Sequence, residues 1–74
     1  MEKITLGEAY EIATRETVNP GDSIVSNVTG RTSTFIAIYW DSNGNHVKVQ
    51  HKDFQGVVRI AYAKNFGLRI RDFH

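Results

Sequence analysis

The sequence predicts an α+β fold in which an N-terminal helix packs on a four- to five-stranded antiparallel meander sheet. Three observations lead there. Thr5-Leu6-Gly7-Glu8 has the pattern of a helix capping box. Asn43-Gly44 is flanked by alternating runs of β-branched and aromatic residues, a strong hairpin signal. Residues 57–73 then alternate again around Asn65-Phe66-Gly67. A small β-barrel carrying the same N-terminal helix is the alternative that these elements allow.

The helix is expected over residues 6–17. Thr5 would cap it, Glu8 would reach back, and Ile4 would form a hydrophobic staple. Leu6, Ala9 and Ala13, flanked by Tyr10 and Ile12, recur at helical spacing, with Glu8, Glu11, Arg15 and Glu16 largely opposite. Gly7 weakens the first turn. Asn19-Pro20-Gly21-Asp22 ends the element, because Pro20 disfavours helical geometry at Asn19 and Pro-Gly suits a type II turn.

A strand over residues 23–28 turns at Thr29-Gly30-Arg31 into the central hairpin, residues 34–52. A two-residue turn at Asn43-Gly44 sets its register. Trp40 then faces Val47, Ile38 faces Val49 and Ile36 faces His51 on the apolar side. The other side carries Phe35, Ala37 and Tyr39 opposite Lys52, Gln50 and Lys48. After a connection at Asp53-Phe54-Gln55-Gly56, residues 57–73 predict a second hairpin, with Gly67 in the left-handed position. Its register opposes Tyr62 to Ile70, Lys64 to Leu68 and Ile60 to Asp72. One face is apolar; the other holds Arg59, Arg69 and Arg71 with Val57, Ala61 and Phe73.

Composition bounds the function. The 74 residues suit one domain, with 41% hydrophobic and 23% charged side chains, an ordinary globular balance. A net charge of +1 argues against a nucleic-acid mimic and gives little support to a general polyanion binder. There is no cysteine, hence no disulfide or thiolate chemistry. The N-terminus lacks a signal-peptide pattern and no stretch approaches the roughly 20 apolar residues of a membrane span, so a cytoplasmic protein with no membrane partner is expected.

No constellation for catalysis stands out. There is no phosphate-binding glycine loop and no histidine pair at metal spacing, since His46 and His51 point to opposite faces of one strand. His51 and Asp53 share a face, but two ligands do not make a zinc site. The chain is therefore read as a non-enzyme without cofactor. Basic and aromatic groups remain: Arg59, Arg69 and Arg71 on one face, and Lys48, Lys52, Tyr39 and Phe35 on another. Such surfaces anchor protein partners, or stack bases while cations hold phosphates.

The segment Thr5-Leu6-Gly7-Glu8-Ala9-Tyr10-Glu11-Ile12-Ala13-Thr14-Arg15-Glu16 resembles the opening of PepSY-type domains and of short phage-encoded anti-CRISPR proteins. In the latter a helix rests on a curled antiparallel sheet. The resemblance extends over about the first fifty residues and rests on the helix start. It implies an inhibitor acting in the host cytoplasm, docking on a host protein or nucleoprotein complex through Lys, Arg and aromatic side chains. The expected function is thus a phage-type, non-enzymatic binding protein using Arg59, Arg69, Arg71, Lys48, Lys52, Tyr39 and Phe35. A nucleic-acid-binding module using the same residues is the second reading, and self-association through an exposed edge strand the third.

Overall fold

The computed structural model describes residues 4–71 and has no α-helix among them. The chain forms seven strands: β1 (Ile4–Glu11), β2 (Thr17–Val18), β3 (Ser23–Val25), β4 (Thr32–Asp41), β5 (His46–Lys52), β6 (Val58–Tyr62) and β7 (Leu68–Arg71). All pairings are antiparallel and join into one sheet, with a 3₁₀ helix, Ala63–Phe66, between β6 and β7. The α+β expectation, in both its sheet and its barrel form, is therefore corrected to an all-β fold.

The segment expected to be helical is the strand that ties the sheet together. Residues 4–7 of β1 run beside residues 38–41 of β4, whereas Ala9 and Tyr10 lie between β2 and β7. In extended geometry Gly7, Ala9 and Glu11 share one side, and Leu6, Glu8 and Tyr10 the other. The inner side is small: Ala9 is 2% exposed, and a Cβ on Gly7 would fall onto Cγ1 and Cδ1 of Ile70. A lone helix of about twelve residues is marginal in water, so pairing on both edges outweighs local propensity. Thr5 and Glu8, read as a capping box, instead pair with Trp40 and Arg71. The helix start on which the resemblance to PepSY-type and anti-CRISPR proteins was drawn is a strand in this fold.

A tight reversal follows β1. Arg15 N–H donates to the Glu11 carbonyl (2.7 Å), Glu11 N–H donates to the Glu16 carbonyl (2.9 Å), and Arg15 sits at φ 61°. The Pro20-Gly21 turn forms as expected: Gly21 has φ 98°, and Asp22 N–H bonds the Asn19 carbonyl at 3.0 Å.

The central hairpin keeps its expected register over Trp40–Val47, Tyr39–Lys48, Ile38–Val49 and Ala37–Gln50. Its reversal takes residues 42–45, with Asn45 rather than Gly44 in the left-handed region, and Asp41 Oδ1 accepts the Asn43 N–H. A bulge between Phe35 and Ala37 then shifts the ladder by one residue, so His51 faces Phe35 instead of Ile36. The extra residue turns Phe35 inward, where it is 3% exposed. Phe35, expected on a binding surface, is a core residue.

The second hairpin does not form. β6 returns along β5, pairing Lys52 with Val58 through to Lys48 with Tyr62. Asp53 closes that turn: Oδ1 accepts the N–H groups of Gln55 and Val57, and Oδ2 takes Arg59 Nε at 2.7 Å. The 3₁₀ helix then carries the chain away from β6. Phe66 buries into the core, and Gly67, left-handed at φ 65° as expected, caps a helical turn instead of a hairpin loop. β7 pairs with β1, not β6. The expected Ile60–Asp72 pair and Phe73 fall outside the described residues.

The core draws one or two side chains from most elements: Ala9, Ile24, Phe35, Ile38, Val49, Ala63, Phe66 and Leu68. No helix among the described residues is long and apolar enough to cross a membrane.

Candidate binding groove between β6 and β7

Because β6 pairs with β5 and β7 with β1, the ends of these two strands stand apart. A cleft of about 580 Å³ occupies the gap. Val47, Leu68 and Ile70 give it an apolar lining, joined by Ile12 from the turn after β1. Trp40, Tyr62 and His46 contribute rings, and Lys64 and Arg69 contribute cations.

Local geometry positions these groups. Trp40 and His46 lie at the two ends of the β4–β5 reversal, and Tyr62 ends β6. His46 meets the Tyr62 ring edge-on, with centroids 5.0 Å apart. Lys64 lies in the 3₁₀ helix, and its Nζ sits 5.6 Å from the same ring centroid, within cation–π range. No carboxylate lines the cleft, and neither Lys64 nor Arg69 forms an ion pair among the described residues.

The residues expected to bind a partner are dispersed. Arg59 is held by Asp53, and Arg71 pairs with Glu8 at 3.6 Å, covers the Tyr10 ring at 4.9 Å and donates to the Arg15 carbonyl. Only Arg69 of the three reaches the groove. The single basic face required β6 and β7 to pair, which they do not. Lys48 bridges to Asp41 at 3.3 Å, beside Tyr39 and Tyr62 in register. Lys52 is exposed between Thr34 and Val58, and Tyr39 is half-buried between Leu6 and Lys48. Sequence reading missed Trp40, Tyr62, His46 and Lys64 as groove residues. Their common signal is position: each stands at the end of a strand or in the turn that follows it.

A second cleft, about 450 Å³, lies at the turn after β5, where His51, Asp53, Phe54 and Arg59 meet the chain before β4. His51 is 7% exposed, its ring meets Phe66 at 4.8 Å, and its Nδ1 is buried without a hydrogen-bond partner. Burial pushes the His51 imidazole below its ordinary pKa; Asp53 opposes this and Arg59 adds to it. The Arg59 hydrogen bond, with the Val57 N–H, holds the Asp53 carboxyl below the usual range. At Asp41 burial acts upward, but Lys48 and the N–H groups of Asn43 and Gly44 outweigh it and lower its pKa. Among the described residues no group of three or more His, Cys, Asp or Glu side chains could hold a metal.

No family model, curated protein or solved structure matches the chain.

Proposed function

We propose that the protein is a non-enzymatic binding domain whose groove takes an acidic polypeptide segment bearing an aromatic or aliphatic anchor. One observation carries this reading: Trp40 and Tyr62 share an apolar cleft with two cations and no carboxylate. An anchor side chain would pack against Trp40, Leu68 and Ile70 while a neighbouring carboxylate meets Arg69 or Lys64. Aromatic residues and Arg in a desolvated pocket are the groups that dominate interface energetics.

A protein partner is favoured over nucleic acid because the net charge is only +1 and three of the nine Lys and Arg side chains, Arg59, Arg71 and Lys48, already hold a carboxylate.

Trp40 is the only tryptophan and reports directly on the groove. Titration with a short Glu-rich peptide containing one Phe should change its emission. Lys64→Glu combined with Arg69→Glu should weaken binding by about 10-fold or more. An oligonucleotide of matched length serves as the control. Tighter binding of that oligonucleotide, with affinity falling steeply as salt rises, would replace the peptide reading. No emission change with either would remove the groove as a binding site.

A further inference from the structure

We infer that β6 is a self-recognition edge, through which two copies of the chain pair antiparallel about Ile60. β6 has β5 on one side and no strand on the other among the described residues. Val58-Arg59-Ile60-Ala61-Tyr62 holds no proline, lysine or bulge, and its one charge, Arg59, is paired with Asp53. Val58, Ile60 and Tyr62 are 48%, 59% and 42% exposed on one face of this strand.

The ladder decides which register a second copy would take. Asp53 N–H donates to the Val57 carbonyl in the register that pairs β5 with β6. By antiparallel alternation Arg59 and Ala61 bond towards β5, and Val58, Ile60 and Tyr62 turn their N–H and C=O groups outward. A two-fold axis at Ile60 sets Ile60 against its own copy and Val58 against Tyr62 of the other chain. These pairs use every outward-facing group of the strand, about six hydrogen bonds in all.

Side chains agree with the same register. Val58 against Tyr62 is a β-branched–aromatic cross-strand pair, which is favourable. Arg59 falls opposite Ala61, so the two guanidinium groups do not face each other, and each is already neutralised by Asp53. A register shifted by two residues leaves outward groups unpaired at both ends and separates the apolar trio. The edge is thus self-complementary in hydrogen bonding, shape and charge, as an isologous contact requires.

A five-residue edge is small, so association should be weak, with a dissociation constant on the order of 0.1–1 mM. Sedimentation velocity of the full chain between about 10 µM and 1 mM tests this. The weight-average sedimentation coefficient should rise with concentration, and amide exchange at Val58, Ile60 and Tyr62 should slow in parallel. Ile60→Lys places two like charges on the axis and should stay monomeric; because Ile60 is exposed, its circular dichroism should match the parent. A parent chain that stays monomeric to 1 mM, or an Ile60→Lys variant that associates as the parent does, overturns the inference.

Discussion

The side chain of Ile70 on β7 occupies the position that a β-carbon on Gly7 of β1 would need. The contact is made with Cγ1, next to the branch point, as well as with the tip Cδ1, so moving the tip alone does not clear it. Gly7 sits where β1 leaves β4 and begins to run beside β7. Gly7→Ala should therefore destabilise the fold by about 1–3 kcal/mol, the usual cost of overpacking. Urea denaturation gives the measurement. Adding Ile70→Ala should recover part of the loss, since it removes the clashing atoms; strictly additive losses would contradict the contact.

Phe35 and Tyr39 make a paired test of the bulge. Phe35→Ala should cost about 3–5 kcal/mol, enough to unfold much of a domain this small. Tyr39→Ala, half-buried on the outer face, should cost clearly less. Equal losses in thermal unfolding would return Phe35 to the side it occupies without a bulge.

Stability should fall with acid in two stages. His51 has a folded pKa below its unfolded value of about 6.5, so the unfolded chain binds more protons and stability rises with pH. That contribution is complete above about pH 6.5 and is lost as pH drops towards the folded pKa. Asp53 and Asp41 are lowered as well, and their contributions disappear only below about pH 4. His51→Leu should flatten the first stage and leave the second. Unfolding curves from pH 8 to pH 3 would show it; an unchanged slope below pH 6.5 would exclude His51 as the source.

The Asp53 carboxylate accepts three hydrogen bonds at the β5–β6 turn, from the N–H groups of Gln55 and Val57 and from Arg59 Nε. Asp53→Ala should lower the melting temperature more than Arg59→Ala does. Arg59 contributes one of those bonds from an exposed side chain, whereas Asp53 also holds two backbone N–H groups. Equal effects of the two would mean that the turn forms without its aspartate.

What could be read from the sequence follows a physical divide between local and distant interactions. The Asn43-Gly44 hairpin, the Pro20-Gly21 turn and the left-handed Gly67 depend on neighbouring residues and were legible, apart from the length of the first reversal. β1 was not legible as a strand. Its residues form a passable helical stripe, and what makes them extended is Ile70 and Arg71, some sixty positions downstream. The bulge at Ile36 was hidden too, and it moved Phe35 from a surface to the core. Of the expected site only Arg69 stands in the groove. Trp40 was read as interior, and Tyr62 was given a partner, Ile70, that belongs to another strand.

The groove exists only because β7 follows β1 and leaves β6. Cross-strand nuclear Overhauser effects decide this most directly. Backbone contacts between Ala9 and Ile70 and between Tyr10 and Arg69, with none between Tyr62 and Ile70, are the result expected. Strong backbone contacts between Tyr62 and Ile70 would mean that the two strands close on each other, and the groove would have no room to form.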